Sequence, residues 1–193
     1  MVRMYHLLST SEEIEETAAK IYDVLARRVA CLPRGSAPWP FDVPALLVRL
    51  ADEERQHRLR IRSFAQSFRR ERAAVDSQDY DTGDLDKLLS DGETLLHMCS
   101  DEARSIDVSD AFHLAMALEE SFARVHAHVL AEHAWPAARV LFSSLAAQDR
   151  GHIALLRHAQ GELAAAGVSV AAVRAHQDSA ASASSIGDRR KSL

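Results

Sequence analysis

LADEERQH at positions 50–57 returns as LAAQDRGH at positions 145–152. In both copies an apolar Leu-Ala pair leads to a carboxylate and, three residues on, a histidine: Glu54 with His57, and Asp149 with His152. Residues three apart on a helix project from the same face, so each pair can offer one carboxylate oxygen and one imidazole nitrogen to a single point. The upstream sequence repeats too. IEETAAKIYDVLA at 14–26 resembles LEESFARVHAHVLA at 118–131, with one residue inserted near the end. Each half therefore reads as a helix carrying a Glu followed by a helix carrying a carboxylate-x-x-His pair.

Helix phase chooses between the adjacent glutamates. Steps of three, four and seven from Glu15 reach Ala18, Ala19, Tyr22, Leu25 and Ala26, whereas the same steps from Glu16 reach Lys20, Asp23 and Arg27. Glu15 is thus the inward member of its pair. Glu119 shares a stripe with Phe112, Ala115, Met116, Phe122, His126 and Val129, and Glu120 is followed by Arg124 and His128. Glu54 falls on a face with Leu47, Leu50, Ile61, Phe64 and Phe68, and Asp149 on one with Phe142, Leu145, Ala146, Ile153 and Leu156. All four carboxylates point toward an apolar core.

Four carboxylates meeting in a core repel one another, and each costs several kcal/mol to bury without a partner. Nothing in these helices supplies enough inward Lys or Arg to balance them. Two divalent cations would bring the sum of charges to zero, with two neutral imidazoles completing the ligand set. Four carboxylates and two histidines in this pattern are the ligands of dinuclear iron and manganese sites in four-helix bundles. The expected metal ligands are Glu15, Glu54, His57, Glu119, Asp149 and His152. Mixed nitrogen and oxygen ligation suits two iron ions, with manganese the alternative. Tyr22 and His126 occupy equivalent places seven residues beyond Glu15 and Glu119. Seven residues span about 10 Å of helix, too far for His126 to share an ion with Glu119, so both are placed behind the ligands as hydrogen-bonding support.

Composition agrees. The chain has 193 residues, 47% of them hydrophobic, with only seven glycines and five prolines. Abundant Ala, Leu, Arg and Glu favours helix. No stretch of eighteen apolar residues suggests a membrane span, and MVRMYHLLSTSEE is too poor in apolar residues for a secretory signal, so a cytoplasmic location with no membrane partner is expected. Cys31 and Cys99 make no paired motif and read as reduced, packed thiols. A net charge of −5 gives no general case for nucleic-acid binding. The arginines of the second helix, including Arg49, Arg55, Arg58, Arg60 and Arg62, read mostly as a solvated face balanced by nearby acids.

The elements follow from caps and breakers. Thr10-Ser11-Glu12-Glu13 looks like a capping box opening a helix from about Ser11 to Ala30. LPRGSAPWPF breaks it, and Asp42 with Pro44 opens a second helix to roughly Ala74. After the polar loop DSQDYDTGD, Asp84 caps a shorter helix over about Leu85 to Glu102. Ser109 opens the third long helix, to about Ala134, and Trp135-Pro136 reverses the chain into a fourth reaching about Ala166. Residues 1–170 are expected to form one helical domain, and 171–193 a largely disordered tail with little to bury.

Short connections within halves and a long one between them imply an all-α, ferritin-like four-helix bundle: two antiparallel helical hairpins joined by a crossover containing the short helix. Over about residues 10 to 165 the chain resembles the rubrerythrin-like branch of the ferritin-like superfamily. AMALE at 115–119, IYDVLA at 21–26 and LADEERQH carry that resemblance. It implies the same six ligands that helix phase selects. It also implies a non-haem di-iron oxidoreductase that reduces hydrogen peroxide or dioxygen and is recharged by an external electron donor.

Three departures from the family pattern stand out. Asp149 replaces a Glu, Phe122 stands where an additional Glu often follows the third-helix ligand, and no paired Cys-x-x-Cys motifs of a rubredoxin domain are present. The alternatives are iron binding or storage without turnover, and a di-iron hydroxylase of an organic or RNA substrate. A homodimer is expected, with Trp39 and Phe41 as apolar residues outside the metal-facing stripes.

Overall fold

The computed structural model describes residues 4–32, 39–70, 83–132 and 136–167. Among them are five helices and no strand: α1 (Met4–Ala30), α2 (Val43–Arg70), α3 (Gly83–Ser100), α4 (Val108–Glu132) and α5 (Pro136–Ala165). The expected breaks at 33–38 and 71–82, the reversal at Trp135 and the tail at 171–193 lie outside the described residues. None of the helices is long and apolar enough to cross a membrane.

Side-chain pairing sets the helix directions. Asp23, Glu16 and Glu12 of α1 meet Arg55, Arg58 and Arg62 of α2 in that order, so the two helices run antiparallel. His113 and His126 of α4 likewise meet Gln160 and Asp149 of α5, which makes α4 and α5 antiparallel. Between the pairs, Tyr22 reaches Glu119 and His126 faces Glu15, while Glu53 reaches His152 and Arg60 reaches Ser144. Each helix of one pair thus faces an antiparallel neighbour in the other. The α2 arginines are therefore inter-helix clamps more than a free basic face.

Helix α3 lies along α1. At Gly92 a β-carbon would come within 3.3 Å of the Thr17 methyl, so a small residue lets the two helices approach closely. Arg28, near the end of α1, donates to the carbonyls of Cys99, Asp101 and Arg104, satisfying acceptors at and beyond the C-terminus of α3.

Several helix starts differ from expectation for identifiable reasons. Helix α1 begins at Met4, one to two turns before Thr10-Ser11-Glu12-Glu13. Met4, Leu7, Leu8, Ser11, Ile14 and Glu15 are all buried, so the apolar stripe continues upstream and burial outweighs the local capping signal. Helix α2 opens as expected, with Asp42 Oδ1 accepting from the Ala45 amide at 3.1 Å. Helix α3 begins at Gly83, placing Asp84 inside its first turn.

Helix α4 is capped by Asp107 in place of Ser109. Asp107 Oδ1 accepts from the Asp110 amide at 2.8 Å, and Asp110 Oδ2 accepts from the Asp107 amide at 3.2 Å. This is the reciprocal geometry of a capping box, and it leaves the Ser109 hydroxyl to His113. Helix α5 ends in a left-handed Gly167, whose φ of 69° glycine adopts without strain.

The core is continuous across the helices, with Tyr22, Phe112, Phe122 and Phe142 its largest fully buried side chains. Trp39 and Phe41 pack against it half-buried. Both cysteines are free, but only Cys99 is packed; Cys31 is exposed, because it lies just past the last turn of α1.

Candidate metal centre

Every expected metal ligand is buried, as are Tyr22 and His126. Glu15, Glu54, Glu119 and Asp149 are each 0% exposed, and His57, His126 and His152 at most 4%. The rejected neighbours point outward: Glu16 is one-third exposed and pairs with Arg58, and Glu120 is exposed and pairs with Arg157. A hundred-degree step per residue is enough to separate the two members of each Glu-Glu pair.

The buried groups assemble into two clusters. Glu15, Glu54 and His57 form one; Glu54, Glu119 and His152 form the other. In each, ligand atoms lie within 4.8 Å of one another, near enough to surround one ion. Glu54 belongs to both. His57 Nδ1 is 2.9 Å from Glu54 Oε2 and 3.6 Å from Glu15 Oε2. His152 Nδ1 is 3.1 Å from Glu54 Oε1 and 3.2 Å from Glu119 Oε1. The two imidazoles are nearly parallel, at 11°, with centroids 5.6 Å apart. Asp149 joins neither cluster, because its Oδ2 is held by His126 Nδ1 at 2.7 Å.

Tyr22 and His126 reach across to the opposite half. The Tyr22 hydroxyl donates to Glu119 Oε1 at 2.5 Å, and His126 Nε2 lies 3.4 Å from Glu15 Oε1. Glu53 is a contributor that helix phase assigns to the solvated face. It is about one-third exposed, yet its Oε2 meets His152 Nε2 at 2.8 Å while Oε1 accepts from Arg49. The approach of α5 to α2 creates that contact, and no local signal in α2 announces it.

Electrostatics reflect the crowding. Burial drives the Glu15 carboxyl well above the usual range, with the nearby Glu54 charge adding to the rise. Burial pushes Glu119 up to about 7, despite the counteracting hydrogen bond from His152. Glu54 is buried as deeply, but hydrogen bonds centred on His152 and His57 outweigh desolvation and hold it below the ordinary value. Burial disfavours the charged imidazoles, yet the surrounding carboxylates win and raise His57 to about 10 and His152 to about 11. Tyr22 is raised by burial and by the Glu119 charge.

Both Glu15 oxygens, Glu119 Oε2 and Asp149 Oδ1 are buried without a hydrogen-bond partner, and Glu54 Oε1 has only the His152 imidazole, 3.1 Å away. Buried oxygens of this kind are costly unless something else satisfies them. A divalent cation in each cluster would satisfy the Glu15, Glu54 and Glu119 oxygens, with hard oxygens and imidazole nitrogens as its donors. No protein-family model, curated protein or solved structure matches the chain.

Proposed function

We propose that the chain is a ferritin-like, rubrerythrin-like protein that holds two iron or manganese ions among Glu15, Glu54, His57, Glu119, Asp149 and His152, and reduces hydrogen peroxide or dioxygen there. The observation that carries this reading is the pair of histidine-carboxylate clusters sharing Glu54, whose members Glu15 and Glu119 keep buried carboxylate oxygens without a hydrogen-bond partner. Antiparallel hairpins α1–α2 and α4–α5, with α3 in the connection between them, support the ferritin-like assignment.

When bound, a redox-active metal pair supplies electrons to the peroxide or dioxygen and regains them from an external donor. The chain's own residues provide the setting. Glu54 holds the two positions together, and His57 and His152 present Nδ1 toward them. Tyr22 fixes the orientation of Glu119, and the Glu53–Arg49 pair holds His152 from its outer nitrogen. Leu50 and Leu145, four residues before Glu54 and Asp149, and Phe122 and Phe142, whose rings lie near His126, are at most 1% exposed, which keeps bulk water out of this part of the core.

The test is to purify the protein without oxygen, count bound metal, and titrate the reduced form with hydrogen peroxide while following the absorption of the oxidised centre. About two irons per chain, the stoichiometry of the dinuclear carboxylate proteins, oxidised faster by peroxide than by air, is the expected result. Trace metal only, unchanged by Glu54→Ala with His57→Ala, would sink the reading.

A further inference from the structure

The internal repeat equates Glu54 with Asp149 and Tyr22 with His126. A metal site obeying that repeat would use both second-helix carboxylates alike. Glu54 joins both clusters, while Asp149 joins neither. We infer that Asp149 positions His126 by accepting its hydrogen bond and is not a metal ligand, leaving Glu54 as the one carboxylate common to both clusters. The inference rests on the dinuclear reading above and revises its ligand set.

Two departures from the repeat touch each other, and each accounts for the other. Asp149 is one methylene shorter than Glu54, so its carboxylate reaches less far from α5. Its Oδ2 sits 2.7 Å from His126 Nδ1, on the helix that faces it. His126 is 2% exposed and lies between the rings of Phe122 and Phe142, with centroids 6.1 and 6.0 Å away. It is packed in place, and an Asp149 that turned toward a metal would strip a buried imidazole donor of its acceptor.

The Tyr22 hydroxyl at the equivalent place goes instead to Glu119, across the site. The remaining Asp149 oxygen, Oδ1, is buried and without a partner.

Asp149→Asn separates the two roles, because an amide oxygen still accepts from His126 but replaces a carboxylate ligand poorly. Wild type, Asp149→Asn and Glu54→Gln would each be loaded with cobalt(II) without oxygen, and metal per chain and the visible spectrum measured. Asp149→Asn should keep wild-type stoichiometry and spectrum, losing less than the ~10–100-fold in affinity seen when supporting groups are removed, whereas Glu54→Gln should lose both metals. Loss of one metal from Asp149→Asn overturns the inference and leaves the dinuclear reading standing.

A second readout is independent of metal: long-range ¹H–¹⁵N spectra of the His126 ring in the metal-free protein. Asp149→Asn should keep the proton on Nδ1 and Asp149→Ala should not. An unchanged tautomer in Asp149→Ala overturns the pairing. A wild type that binds no metal overturns the dinuclear reading and the ligand assignment together, while the ring spectra still decide the pair.

Discussion

Glu54 of α2 and Asp149 of α5 stand at equivalent positions of an internal repeat, are equally buried, and face the same core, yet Glu54 touches both histidines of the site and Asp149 touches His126. Their neighbourhoods are otherwise alike. Leu50 and Leu145, four residues upstream of each, are both fully buried, and each helix places its histidine one turn beyond the carboxylate. What separates them is reach and available partner. Helix phase decides which way a side chain points; one methylene and one imidazole on the facing helix decide what it meets.

The largest expected effect breaks the comparison at its centre. Glu54→Ala should abolish binding of both metals, because both clusters share that carboxylate, while Asp149→Ala should leave the affinity far less changed; calorimetric titration of the metal-free proteins checks this. At free metal a thousandfold above Kd, wild type should also gain about 4 kcal/mol of stability from the ion, a gain Glu54→Ala should lack in thermal unfolding.

Leu50→Ala and Leu145→Ala should each cost about 2–5 kcal/mol by chemical denaturation, since both side chains are 0% exposed. Similar costs would show the two halves to be equal in packing and unequal only in polar chemistry. A much smaller cost in one half would locate the asymmetry in the core itself.

The metal-free protein should lose stability as pH rises. Glu119, at about 7 in the fold, binds a proton more tightly than when unfolded, so its contribution falls as pH climbs from the ordinary carboxylate range through 7. His57 and His152, raised to about 10 and 11, contribute stability that is fully present below the unfolded imidazole value and is lost through 10 and 11. Metal binding must displace those protons, so apparent affinity should increase with pH and proton release into an unbuffered solution should accompany loading. Melting curves with and without metal at several pH values should therefore slope in opposite directions.

The smallest effects concern the caps. Asp42→Ala and Asp107→Ala should each cost about 1 kcal/mol, with Asp107→Ala the larger because its reciprocal partnership with Asp110 is lost as well. Equal melting temperatures for the two variants would show that the reciprocal bond adds nothing measurable.

Much of this molecule can be read from one dimension. Five helices follow from periodicity and breakers, and their described starts lie within a few residues of expectation except at α1. The start of α1 is missed because Thr10-Ser11-Glu12-Glu13 is a local signal, and the burial of Met4, Leu7 and Leu8 that overrides it depends on other helices. The inward choice of Glu15 over Glu16 and of Glu119 over Glu120 is likewise legible, since it requires only the helical angle between neighbours.

The amino-acid order by itself determined which side chains share a helical face, and therefore which carboxylates and histidines enter the core. Only the tertiary structure decided which of them meet: Glu54 between two histidines, Tyr22 on Glu119, Glu53 reaching His152 from the surface, and His126 drawing Asp149 aside. The physical reason is that direction from a helix is set by backbone geometry within a few residues, whereas contact between helices depends on side-chain length and on a register that hundreds of core atoms fix together.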